Sequence, residues 1–145
     1  SEAWDVMATY GYLNSEYDDY LADLTGDGII TDNSALVPRN TPENTFGLTT
    51  SYTTQIGNGD LKARVSYRYR GALETESQNN PLGHLDSINN VNANISYTMN
   101  NYSVSVWGRN ITDEREQRWS TIGGLTSRGW WNEPATYGLT LSASF

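Results

Sequence analysis

Four cations share one side of a short segment. Lys62, Arg64, Arg68 and Arg70 occupy even positions, while Leu61, Ala63, Val65, Tyr67 and Tyr69 occupy the odd ones. Together with Arg109, such a ladder can guide an anionic ligand or pair with the carboxylates of a partner. Trp119, Trp130 and Trp131 fall within one polar stretch. Their rings can stack on a ligand ring or a sugar, or simply pack that stretch against its neighbours. Asp23, Thr25 and Asp27 place oxygen donors at the first, third and fifth positions of a calcium-loop pattern, followed by Gly28 and Asp32. The twelfth position is Ser34 instead of the bidentate Glu, so a solvated turn explains the same residues. With Glu16, Asp18 and Asp19 nearby, these carboxylates attract cations or keep the stretch soluble. His84 has no second His or Cys with which to hold a metal, and no Ser/His or paired-carboxylate arrangement stands out. These residues point to no enzyme site and no required cofactor, and calcium in the 23–32 stretch is the one candidate ion.

Composition narrows the field further. The chain has 145 residues and a net charge of -8, from 9 Lys+Arg against 17 Asp+Glu. A length near 150 fits about one domain. An acidic chain without a clustered basic surface is not a general nucleic-acid binder. With no Cys, there is no disulfide scaffold, Cys-based zinc site or thiol nucleophile. No apolar stretch approaches the roughly 18 residues of a membrane helix. The first residue is Ser1, with no basic and apolar leader behind it, which is expected of a processed chain or of a piece of a longer one.

Lysine occurs once, and Thr, Ser, Asn, Tyr and Gly dominate, a mixture that suits strands and turns better than helices. Apolar and polar residues alternate over six segments. Their apolar sets are Trp4–Tyr12, Phe46–Tyr52, Leu61–Tyr69, Val91–Tyr97, Tyr102–Val106 and Tyr137–Phe145, each at every second residue. The connections alternate too. Tight Gly/Asn turns occur around Gly57-Asn58-Gly59 and Asn100-Asn101, and long polar loops span roughly 17–43, 73–87 and 119–133. Short turns alternating with long loops are the pattern of an antiparallel up-and-down transmembrane β-barrel.

The magnitudes decide which face meets lipid. A cation on the lipid face costs about 2–4 kcal/mol at the bilayer midplane. Four would consume a sum comparable with a domain's whole stability, about 5–15 kcal/mol. The Lys/Arg face must then meet water, and the Leu/Ala/Val/Tyr face lipid. Trp4, Tyr52, Tyr69, Tyr97, Tyr102 and Tyr137 fit interfacial girdles.

Three stretches resemble one family. Val104-Ser-Val-Trp-Gly-Arg-Asn-Ile-Thr-Asp-Glu114 is similar to the penultimate-strand signature of TonB-dependent outer-membrane receptors, an alternation running into Asn-Leu/Ile-x-Asp-Glu. Pro134-Ala-Thr-Tyr-Gly-Leu-Thr-Leu-Ser-Ala-Ser-Phe145 resembles the family's last strand, although Ala135 stands where Arg is common. Val37-Pro-Arg-Asn-Thr-Pro42 resembles its lead-in to a late strand.

The resemblance implies that residues 1–145 are the C-terminal part of a barrel of about 22 strands, here roughly its last six, with the plug domain outside this stretch. It implies a multi-pass place in the Gram-negative outer membrane, with the three long loops outside the cell. The partners it implies are membrane lipid, the rest of the barrel and plug, the TonB complex acting through the plug, and a small-molecule ligand. Phe145 would be the terminal aromatic read by the barrel-assembly machinery. The implied activity is energised import of a scarce ligand, most often a ferric siderophore, otherwise cobalamin or an oligosaccharide. The ligand-binding candidates are Arg64, Arg68, Arg70, Arg109, Trp119, Trp130 and Trp131; the metal candidates are Asp23, Thr25, Asp27 and Asp32. Two other classes stand beside this one: a soluble, calcium-dependent carbohydrate-binding β-sandwich, and an outer-membrane enzyme or small barrel.

Overall fold

The computed structural model describes residues 3–115, 117–123 and 126–145, the side chains of residues 119, 121, 122 and 127 lying outside the description. Twelve strands occur in chain order: β1 (Trp4–Tyr12), β2 (Leu21–Ala22), β3 (Thr31–Asp32), β4 (Asn44–Ile56), β5 (Gly59–Arg70), β6 (Leu73–Glu74), β7 (His84–Leu85), β8 (Ile88–Met99), β9 (Tyr102–Arg109), β10 (Gln117–Gly123), β11 (Thr126–Trp131) and β12 (Thr136–Ala143). A 3₁₀ turn, Pro81–Gly83, precedes β7.

Six of these strands form one antiparallel sheet in the order β1-β4-β5-β8-β9-β12, each next to its predecessor in the meander. They are the six alternating segments of the sequence, with β4, β5 and β8 longer than expected and β12 ending at Ala143, short of the expected Phe145. β4 and β5 pair without a break from Thr45↔Arg70 to Ile56↔Gly59. The two short connections, Gly57-Asn58 and Asn100-Asn101, open on residues in the left-handed region, Gly57 at φ 60° and Asn100 at φ 51°. Gly and Asn are the residues that enter that region at least cost, which is why these positions turn the chain tightly.

Because the period is two, register fixes the faces. One face carries Thr53, Lys62 and Ser96 in a row, then Ser51, Arg64 and Asn94, then Gly47, Arg68 and Asn90. The other carries Leu48, Tyr67 and Val91, then Tyr52, Ala63 and Ile95, continued by Val106 and Leu139. The aromatics of this apolar face fall into two rows. Trp4, Tyr52, Tyr97 and Tyr102 lie at the end of the short turns, with the Trp4 and Tyr52 rings 4.8 Å apart. Tyr10, Phe46, Tyr67, Tyr69 and Tyr137 lie at the loop end. Trp4 and Tyr10 are six residues apart, about 20 Å along a strand.

No second layer covers the apolar face among the described residues. Among the described residues the one buried large apolar side chain is Leu85, at 3% exposure and on β7 in a loop, whereas Val65, Ile95, Val106, Leu139 and Leu141 of the sheet are all exposed. A β-sandwich needs an opposing sheet to bury that face, and the sandwich alternative therefore fails on the fold.

The long loops are more ordered than their polar sequences imply. Residues 17–43 contain the β2–β3 ladder, 73–87 the β6–β7 ladder, and the expected third loop is largely the β10–β11 hairpin. The loops are also joined to one another. Val37 N–H donates to Asn79 Oδ1 (2.6 Å), and Asn79 Nδ2 donates back to Val37 O (2.9 Å). Gln78 Nε2 donates to Leu24 O, and buried Ser120 donates from its hydroxyl to Leu82 O (2.7 Å).

Candidate functional site

The cation ladder stands on β5 because that strand alternates without interruption, and its neighbours β4 and β8 present Thr, Ser and Asn on the same face. Two of the grooves that open there share Arg109. The first, about 690 Å³, is lined by Arg64, Asn92, Asn94, Trp107, Arg109 and Thr140 among others. Here the Arg109 guanidinium lies 5.2 Å from the centre of the Trp107 ring, and Trp107 Nε1–H donates to Thr140 Oγ1 (3.2 Å). The indole lies across Gly138, where an added Cβ would sit 2.2 Å from its Cζ2, so the absence of a side chain at 138 makes room for the ring.

The second groove, about 500 Å³, is lined by Arg68, Arg109, Asn110, Arg118, Trp131 and Glu133, with Asn90 and Asn92. It shares Asn92 and Arg109 with the first. Among the described residues, no acidic side chain pairs with Arg64, Arg68, Arg109 or Arg118. An array of unneutralised guanidiniums with Asn amides between them can accept carboxylate, phosphate or other oxyanions through charge-assisted hydrogen bonds.

The structure thus unites Arg64, Arg68, Arg109 and Trp131, four of the residues singled out from sequence. It separates others. Arg70 donates to the carbonyls of Gly71 (3.2 Å) and Asp86 (3.4 Å) at the loop end of β5. Trp130 is 72% exposed and lines neither groove. The Trp119 side chain lies outside the described residues; its backbone pairs with Trp130 in the hairpin. Arg118 was not singled out, because it stands in a stretch that reads as loop, and only its proximity to Trp119 hinted at a strand. Phe145 lies two residues beyond β12 with its side chain fully exposed.

Asn110 is the other residue that sequence reasoning passed over as a site element, although it heads the Asn-Ile-x-Asp-Glu stretch. It is buried, at 4% exposure, with φ 47°. Its amide nitrogen donates to Glu114 O and Glu133 O, both at 3.0 Å, and its Oδ1 accepts from Glu114 N–H at 3.2 Å. Its own N–H donates to Asn92 Oδ1 (2.9 Å). Three residues on, Asp113 Oδ1 accepts the N–H of Ala135 (2.8 Å).

In the 23–34 turn, the loop's own donors engage the carboxylates. Asp23 Oδ1 accepts from Gly26 N–H (2.7 Å) and from Thr25, and Oδ2 accepts from Gly28 N–H (2.7 Å). These bonds, that from Gly28 foremost, hold the Asp23 carboxyl below its usual value of 3.8. Asp32 is lowered likewise, first by the Ser34 hydroxyl and then by the Ser34 N–H. Asp27 accepts from Ile29 N–H (2.8 Å). Among the described residues, no three His, Cys, Asp or Glu side chains converge to hold a metal. His84, without a second His or Cys, has a carboxylate partner: its Nδ1 lies 2.7 Å from Glu74 Oε1 across the β6–β7 ladder.

Residues 1–111 match the family model described as TonB dependent receptor-like, beta-barrel. No curated protein matches the chain. Among solved structures, the fold superposes on the ferric yersiniabactin uptake receptor FyuA from Yersinia pestis with a TM-score of 0.81 at 14% identity. That match covers 100% of this chain and 21% of the receptor, and at such identity the likeness is one of fold.

Proposed function

Because this chain belongs to the TonB-dependent receptor β-barrel family, whose members lie in the Gram-negative outer membrane, we propose that its six-stranded sheet is a sector of a barrel wall through which a scarce anionic ligand is imported. A ferric siderophore is the ligand class assigned. The observation that carries this is the two-sided sheet: an exposed apolar face edged by two rows of aromatics, backed by a polar face with Arg64, Arg68, Arg109 and Arg118 along its grooves. A Leu/Val/Tyr surface with no protein layer over it is stable in hydrocarbon, and its reverse lines an aqueous lumen.

The groove at Arg68, Arg109, Arg118 and Trp131 lies at the loop end, where a ligand from outside first arrives. Lys62 and Arg64 lie further down β5 and suit the carboxylates of a plug domain. In this reading the two outer edges, on β1 and β12, pair with further strands, since unpaired backbone groups in hydrocarbon cost several kcal/mol each. Force from the TonB complex reaches the ligand through the plug, and the assembly machinery reads β12 and Phe145.

The test is Arg68→Ala with Arg109→Ala in the full-length receptor, read by uptake of radiolabelled iron delivered as an anionic ferric siderophore. Losing a charge-assisted hydrogen bond costs about 1.5–3 kcal/mol, so apparent affinity should fall at least about tenfold per arginine. Unchanged iron uptake, with uptake of cobalamin or an oligosaccharide affected in its place, would transfer the assignment to that ligand. No change for any of the three would overturn it.

A further inference from the structure

The Arg118 and Trp131 side of the outer groove stands on the β10–β11 hairpin, which belongs to a different sheet from Arg68 and Arg109. Something has to hold the two sheets in register across the groove. Asn110 lies at that junction: it follows the last residue of β9, and its side chain reaches both chains that leave and re-enter the wall. We propose that Asn110 is the positioning residue of the outer groove, fixing Arg118 and Trp131 opposite Arg68 and Arg109.

Three features support this. First, the bonds straddle the hairpin. One amide group binds Glu114 O before β10 and Glu133 O after β11, so the hairpin's two legs are clamped together at their base. Asn132 adds a second clasp, its Nδ2 donating to Glu114 O (2.8 Å), and Asp113 a third, accepting from Ala135 N–H just before β12. Second, the same residue is tied to the wall through Asn92, which lines both grooves. Third, the position demands Asn. A φ of 47° is one that Asn tolerates better than other side-chain-bearing residues. Only an amide can also supply two donors and an acceptor to three backbone groups, which a buried site must satisfy. Another support of the hairpin, Ser120 to Leu82 O, comes from a different loop and fixes its middle, not its base.

The proposal concerns placement. It depends on the import reading only for its consequence, that a displaced hairpin weakens ligand capture. The experiment therefore uses no ligand. A nitroxide is attached in the full-length receptor at R118C, and its mobility is compared with and without Asn110→Ala. In parallel, trypsin cleavage after Arg128 in β11 is timed against cleavage after Arg39, which lies in another loop. Loss of the clamp should mobilise the label and speed cleavage at Arg128 by about tenfold or more, with Arg39 unchanged.

Asn110→Asp keeps the acceptor but loses both donors, so it should behave like Asn110→Ala; Asn110→Gly, which keeps the backbone conformation but not the clamp, should do the same. If Asn110→Ala fails to assemble, Asn132→Ala, which removes a clasp while sparing the turn, should give a smaller effect in the same direction. An immobile label and unchanged Arg128 cleavage in the assembled variants would overturn the proposal. So would equal acceleration at Arg39, because Asn110 would then support the loops generally.

Discussion

In the wall, β4 and β5 exchange backbone bonds from Thr45↔Arg70 to Ile56↔Gly59, and every main strand repeats that arrangement with its neighbour. In the long loops the ladders β2–β3 and β6–β7 are two residues long. What holds the loops to each other is mostly side chain to backbone, Asn79 on Val37, Gln78 on Leu24 and Ser120 on Leu82, beside a backbone bond from Asn40 N–H to Glu74 O (2.8 Å). The burial is also reversed. Apolar side chains are exposed on the wall, while the loops hide Leu85, Thr75 and Ser120. The wall takes its stability from a ladder and its surroundings, the loops from a handful of satisfied polar groups. A substitution in the wall should therefore act globally, and one in the loops locally.

The largest effect is expected from a charge on the exposed apolar face. Leu139 sits mid-strand opposite Val106, and Leu139→Arg should lower stability by about 2–4 kcal/mol in lipid. Denaturant unfolding of the full-length receptor in vesicles measures this; a change near zero would mean that the face does not meet hydrocarbon. Gly59→Ala comes next. A Cβ there would lie 2.6 Å from the backbone oxygen of Thr98 and from the Tyr97 ring. The overpacking should cost about 1–3 kcal/mol by the same assay, because a backbone atom cannot swing aside as a side chain can.

In the loops, Ser120→Ala removes the bond from a buried hydroxyl to the Leu82 carbonyl, a loss of about 0.5–1.5 kcal/mol that should stay local. Hydrogen exchange should quicken over residues 117–131 and 81–85 while β5 and β8 keep their protection. Uniform quickening would erase the distinction between the two regions.

The smallest effect is the pH response of the 23–34 turn. Asp23 is depressed in the folded turn, so its contribution is complete above the ordinary value of 3.8 and is lost as pH falls through the lower folded value. The Gly26 and Gly28 amides should therefore stay protected at pH 4 and exchange freely in stronger acid. Exchange that does not respond to acid would show that the carboxylate is not what holds them.

The same contrast explains what the sequence made legible. Alternation is a long-range regularity, and a strand such as Leu61–Arg70 announces its partners and both its faces at once. From it came the six strands, the two turns and the placement of Arg64 and Arg68 on one face with Arg109. The loops carry no such regularity. Nothing in Asn79 or Ser120 tells which carbonyl a single side chain will reach forty residues away, so the hairpin of residues 117–131, and with it Arg118, stayed hidden. Asn110 was visible only as part of a motif; its purpose needed the positions of Glu114 and Glu133.

The intervals between the cations of β5 have one more consequence. Lys62 and Arg64 are two residues apart and Arg64 and Arg68 four, which at a strand rise near 3.4 Å makes steps of about 7 and 14 Å. At physiological ionic strength the pull between exposed charges fades over about 8 Å. The lower step falls inside that distance and the upper one outside it. An anion held at Arg68 thus feels little of Arg64. On the proposed import reading, a charged cargo held at the upper level of this strand is not drawn on by Arg64, and its descent is powered from elsewhere.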